Sequence, residues 1–246
     1  MKPDTEIPGA LLGEIYFATG HWGKAKQALE LSVQLNPTYE NQYNLGSALF
    51  QMGQISEAAQ YYWCAHEAKG ETYTYLSLYN YVSCQMQLGC YPVQEIAELE
   101  QALDNPHSEV EQESLAEIYY AADQFTKVVD AYEDCKLWLS PSWVLPYYYT
   151  LMQCRLTEKA AELKDKVFKR IAELIRECEQ DDDEDYTWED RQSSLREFEA
   201  DKVKYQEGFE KIESAAYRPE FIFEPQIESK CYLFGCRRHG NANYTD

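Results

Sequence analysis

Apolar residues recur three and four positions apart along most of this chain, and that stripe predicts a succession of amphipathic helices. Between 157 and 178 it runs through Leu163, Val167, Ile171, Leu174 and Ile175, with charged residues filling the outer face. Breaks in the stripe carry turn signals, at Gly20, Gly53, Gly89 and the Asn105-Pro106 pair. The helices come in pairs, and the pairs repeat. The segment LLGEIYFATGHWGKAKQALELSVQLNP is followed by NLGSALFQMGQISEAAQYYWCAHEAKG, a period of about 34 residues. Gly13 matches Gly46, Gly20 matches Gly53, Ala25 matches Ala58 and Leu29 matches Tyr62. A lone helix pair cannot bury its apolar face, so repeated pairs stack on one another.

The spacing of Leu12, Gly13, Tyr16, Gly20, Ala25, Leu29 and Pro37 resembles the tetratricopeptide repeat. A second unit carries Leu45, Gly46, Leu49, Gly53, Ala58, Tyr62 and Ala65, with Gly70 where Pro would sit. The third unit is degenerate. Asn80 echoes Asn44 and Gly89 echoes Gly53, but the second helix, around VQEIAELEQAL, is out of phase. The fourth recovers the pattern at Leu115, Ala116, Tyr119, Phe125, Tyr132 and Cys135, with Val128 in place of a small residue. A weak fifth unit starts at Pro141, with Pro146 expected in a first turn and a long second helix from Thr157 to Cys178. The resemblance implies an all-α, right-handed helical solenoid of about five helix pairs over residues 6–179. An acidic linker is expected at 180–190, built on the run DDDEDYTWED. Residues 191–246 are expected to form a C-terminal helix, capping the stack, and a small irregular or short-strand tail module.

In the family that the repeats resemble, the first helix of each unit lines a concave face that holds a protein partner. Carried onto this chain, those positions are Glu14 and Phe17, then Tyr43, Ser47 and Phe50, then Tyr79, Ser83 and Met86, then Glu113, Glu117 and Tyr120. The set is aromatic and acidic. Tyrosine suits such a face because it offers rigid area with a polar end. The same aromatics are also the right size to pack between units. A basic clamp for C-terminal carboxylates, used by one group in the family, is missing. Its first-unit positions hold Ala10 and Glu14, and Asn44 and Asn80 alone do not hold a carboxylate.

Charge narrows the partner. Asp and Glu number 43 against 22 Lys and Arg, a net charge of −21. That balance excludes nucleic acid as the main partner, because phosphate binding needs cationic side chains. It favours a protein partner that is basic or that offers apolar anchor residues. No apolar run approaches the ~20 residues that span a bilayer. The start MKPDTEIPGALL has its short apolar run broken by Pro8 and Gly9, so no signal peptide is expected and the chain is read as cytoplasmic. The eight cysteines are scattered over helical positions and read as small hydrophobes in a reducing compartment.

Chemistry finds little foothold. Cys231, Cys236 and His239 form C-x4-C-x2-H, one ligand short of a structural zinc site and at an unusual spacing, so neither metal nor cofactor is expected. Arg237 and Arg238 make the tail locally basic, and charge alone would set it against the acidic face. There is no phosphate loop, nucleophile elbow or metalloprotease histidine pair, and the chain is read as no enzyme. Two functions fit. One is a non-catalytic adaptor or scaffold. The other is an immunity or antitoxin-type inhibitor that neutralises a basic toxin such as a nuclease. A secretion chaperone fits less well, because those are shorter and lack such a tail.

Overall fold

The computed structural model describes residues 6–68, 75–103, 109–133, 140–180, 187–220, 223–225 and 227. Among them it contains eleven helices and no strand. The chain divides into two compact units, Met1–Ala102 with Glu224–Asp246, and Leu103–Phe223.

The first unit holds α1 (Glu6–Ala18), α2 (Trp22–Leu35), α3 (Tyr39–Gln51), α4 (Ile55–Glu67), α5 (Leu76–Gln87) and α6 (Val93–Ala102). Each packs on the next in chain order, as a helical solenoid requires. The paired glycines set how closely the helices cross. A Cβ on Gly13 would lie 2.5 Å from Leu29 Cγ, and one on Gly46 would lie 2.9 Å from the Tyr62 ring. Leu29 and Tyr62 are themselves fully buried, so neither can yield. The sequence match of Gly13 with Gly46 and of Leu29 with Tyr62 is therefore a match of two contacting pairs. Thr38 starts α3, its hydroxyl accepting from the Asn41 amide at 3.3 Å.

The second unit holds α7 (Glu109–Ala121), α8 (Phe125–Glu133), α9 (Pro141–Gln153), α10 (Thr157–Gln180) and α11 (Trp188–Glu213). α7 packs on α8 and α8 on α9, while α10 and α11 both pack on α9 and on each other. Their shared core is built on Val128, Tyr132, Val144, Leu151, Val167, Tyr205 and Phe209. The Glu213 carboxylate ties three helices together. It accepts from Tyr148 Oη of α9 at 2.7 Å and from Lys164 Nζ of α10 at 2.6 Å. Thr187 and Asp190 form a reciprocal capping box at the start of α11.

Pro146 departs from expectation. α9 begins at Pro141, which takes the first-turn position where a missing N–H costs nothing, and Pro146 lies inside the helix. The Thr150 hydroxyl donates back to the Pro146 carbonyl at 2.9 Å.

One backbone turn recurs at intervals of about 34 residues. A residue with positive φ stands between the two helices of each pair: Gly20, Gly53, Gly89, Asp123 and Arg155. In each case its N–H donates to the carbonyl three residues back, and the next N–H donates to the carbonyl four residues before the positive-φ residue. This double bond pattern satisfies carbonyls that a helix end otherwise leaves open. Asp123 and Arg155 adopt the turn with φ near 60° without being glycine. The period thus persists in the backbone after the sequence has lost it. Ala215 makes the same turn after α11, and Gly208 stands seven residues before it, as Gly46 stands before Gly53. A Cβ on Gly208 would meet Leu145 at 2.6 Å. α11 therefore carries the marks of a repeat's first helix. No second helix follows among the described residues, where 216–220 runs without regular structure. The expected short strands of the tail fall outside the described residues, as do Cys231, Cys236, His239, Arg237 and Arg238.

Candidate partner-binding site

In the first unit the structure sorts the expected face into buried and half-buried side chains. Glu14 and Phe17 of α1 are buried, with the Phe17 ring edge-on to Trp22 at 5.0 Å. α3 is buried on every side from residue 41 to 49. Tyr43 stacks on Tyr39 and meets Tyr62 edge-on at 5.5 Å, and its hydroxyl accepts from Asn80 Nδ2 at 3.0 Å. Ser47 Oγ lies 3.0 Å from Tyr62 Oη. Burial drives the Tyr62 phenol well above its ordinary pKa, and the Ser47 hydroxyl offsets part of that. Tyr43 and Ser47 thus bind this unit's own helices to one another. The Asn44–Asn80 echo takes on a physical meaning as well, because Asn80 reaches from one repeat to the previous one. Phe50, Tyr79, Ser83 and Met86 are half-buried and keep part of their surface open.

In the second unit Glu113 sits on α7, with its side chain outside the described residues. Glu117 is half-buried, and burial pushes its carboxyl up to about 8. Tyr120, one turn further on, is buried and donates its hydroxyl to the Pro219 carbonyl at 2.6 Å. Its ring is one wall of an aromatic cluster with Phe125 and Tyr149, all three centroids within 6.0 Å of one another and set edge to face. The Arg218 guanidinium lies over this cluster, 5.1 Å from the Tyr120 centroid, 5.9 Å from Phe125 and 6.0 Å from Tyr149. Arg218 Nη2 also donates to Asp123 Oδ1 at 2.9 Å and to the Tyr120 carbonyl at 3.0 Å. Arg218, Asp123 and Tyr149 were not legible as site residues in the sequence. Two signals pointed to them: an Asp where three sister turns carry Gly, and an isolated Tyr-Arg-Pro in an acidic chain.

Among the described residues, no group of three or more His, Cys, Asp or Glu could hold a metal. The Cys84 thiol is buried and pushed up to about 12, which makes it a poor nucleophile. No helix among them is long and apolar enough to cross a membrane.

The sequence profile of the tetratricopeptide repeat matches residues 10–39 and 39–62. Residues 10–62 thus carry two tetratricopeptide repeats. Each match joins a helix pair, α1 with α2 and α3 with α4, and the division at Tyr39 is the first residue of α3. The tetratricopeptide repeat is typically a protein-interaction module without catalysis. No curated protein matches the chain.

Proposed function

We propose that this tetratricopeptide repeat protein is a non-catalytic adaptor that holds a protein partner against the first helices of its repeats. The observation that carries the reading is the half-open row of Phe50, Tyr79, Ser83 and Met86 on α3 and α5, beside Tyr43 and Ser47, which are fully committed to packing. Such a row offers anchors on a rigid base, the arrangement in which a few aromatic contacts dominate binding. The net charge of −21 adds steering toward a basic partner. The charge also favours a second reading, an inhibitor that neutralises one basic toxin.

Capture from the native source followed by calorimetry tests both. An adaptor binds several partners at modest affinity; an inhibitor binds one, at about nanomolar Kd or tighter, with an association rate that falls steeply with salt. Phe50→Ala combined with Tyr79→Ala should weaken partner binding at least ~10-fold, with the melting temperature unchanged. A parallel loss of binding and melting temperature would assign these side chains to packing instead. Small-molecule turnover with no protein partner would remove both readings.

A further inference from the structure

Arg218 is held as a ligand would be held. Its guanidinium lies over three aromatic rings, pairs with a carboxylate and donates to a main-chain carbonyl, while the next carbonyl in its own chain accepts from Tyr120. The segment presenting it, 216–220, has no regular secondary structure. All of these residues belong to the second unit.

Three observations set this contact apart from ordinary core packing. The occupant is open to solvent: the Arg218 side chain is 41% exposed, and its partner Asp123 is 64% exposed. The strap is also undercut, since Tyr217, Pro219 and Glu220 line an open cleft of about 800 Å³ against α9 and α11. The third observation is the turn. Asp123 occupies a left-handed position that Gly20, Gly53 and Gly89 occupy in sister repeats, and the strained choice there supplies the carboxylate that the guanidinium meets.

We propose that the Tyr120–Phe125–Tyr149 cage with Asp123 is a subsite for an arginine of an extended, basic partner segment, and that Arg218 fills it in the free protein as a built-in competitor. The proposal deepens the adaptor reading and rests on it, naming the side chain that the acidic protein recognises. Arginine fits better than lysine, because its flat cation stacks on rings while its N–H groups reach Asp123 and the Tyr120 carbonyl together. A tethered competitor acts at an effective concentration of order millimolar, so it is displaced by a segment with several contacts of its own.

The probe is the acetylated, amidated hexapeptide Ala-Ala-Tyr-Arg-Pro-Glu, which copies residues 215–220, titrated by fluorescence anisotropy into the full chain. Arg218→Gln should bind it at least ~10-fold more tightly than the wild type. Citrulline in place of the peptide's arginine should abolish that gain, as should Tyr149→Ala added to Arg218→Gln. Equal affinity of wild type and Arg218→Gln, or equal binding of the citrulline peptide, overturns the proposal. So does an Arg218→Gln protein that melts like the wild type and binds nothing. Should that variant fail to fold, the wild type decides the matter. With arginine labelled at Nε, the Arg218 resonance must move to the free-arginine position as peptide saturates, and no movement at millimolar peptide overturns the proposal. A captured partner that binds the wild type and Tyr149→Ala alike leaves the adaptor standing without this cage. Peptide binding with no protein partner leaves the cage and removes the adaptor.

Discussion

The two units solve the same packing problem with different chemistry. In Met1–Ala102 two of the helix pairs close on glycine, Gly13 against Leu29 and Gly46 against Tyr62, and all three turns carry glycine at the positive-φ position. In Leu103–Phe223 no turn residue with positive φ is glycine, and bulky or ionisable groups take over. Glu213 links three helices, Glu117 is forced toward its neutral form, and Arg218 lies over a ring cluster. A repeat can therefore keep its geometry while losing its consensus, provided that other contacts over-determine the same turn. The first manner of closing is insensitive to pH. The second is not.

The strongest way to break the contrast is to overfill a glycine crossing. Gly46→Leu puts side-chain atoms where the fully buried Tyr62 ring already stands. A loss of about 3 kcal/mol in chemical denaturation is expected, independent of pH between 5 and 9. A loss below about 1 kcal/mol would show that the α3–α4 crossing can widen, and glycine would no longer explain the first unit.

This difference also governs how much could be read beforehand. The first two helix pairs were legible because glycine contacts leave a fixed sequence mark at both partners. The fifth pair was nearly illegible, because Arg155 makes the glycine turn without being glycine and Pro146 sits inside α9 rather than in a first turn. The candidate face was partly legible. Family positions name helices, but they do not encode which side chain turns inward, and Tyr43 and Ser47 went into packing while Phe50 and Tyr79 stayed half-open. The Arg218 contact was hidden because it joins residues 98 apart, and no local period reports on that.

Glu117 should make the second unit's stability depend on pH. Its carboxyl is raised to about 8 in the fold by burial, while in the unfolded chain it ionises near the ordinary carboxylate value. Below that value both states hold the proton and nothing is lost. As pH climbs toward 8 the unfolded chain sheds the proton while the folded one keeps it, so stability falls. Glu117→Gln removes the difference and should gain about 2 kcal/mol at pH 8 and much less at pH 4. Urea melts at both values check it, and an equal gain at both would mean that burial does not set this carboxyl.

The Glu213 hub has the opposite sign. Lys164 first, and then Tyr148, hold its carboxyl below the ordinary range, so its contribution is present above that range and fades as pH falls through the depressed value. Both charged partners are partly exposed, at 33% and 41%, which limits the contribution to about 1 kcal/mol or less. Lys164→Met should therefore cost about that much at pH 7 and progressively less as the pH is lowered through the depressed value, measured by thermal melting. A constant cost across that range would assign the effect to lost packing over the Phe209 ring, which Lys164 also covers at 5.5 Å.

The smallest effects make the comparison reciprocal, because the same turn can be exchanged between the two units. Gly53 has nothing within 4 Å of where a Cβ would stand, so Gly53→Ala tests backbone conformation alone. It should cost about 1 kcal/mol, the penalty of a left-handed alanine. Arg155 adopts φ 60 in the matching turn, and its N–H is already bonded to the Met152 carbonyl. Arg155→Gly relieves the strain and loosens the unfolded chain, two opposing changes whose balance favours glycine at a positive-φ site by about 0.5 kcal/mol. Denaturation of the two single variants decides the point. If both replacements destabilise the protein, the turn at Arg155 is held by that side chain's own contacts. The persistence of the repeat in the backbone would then have a different cause from strain tolerated at a shared turn.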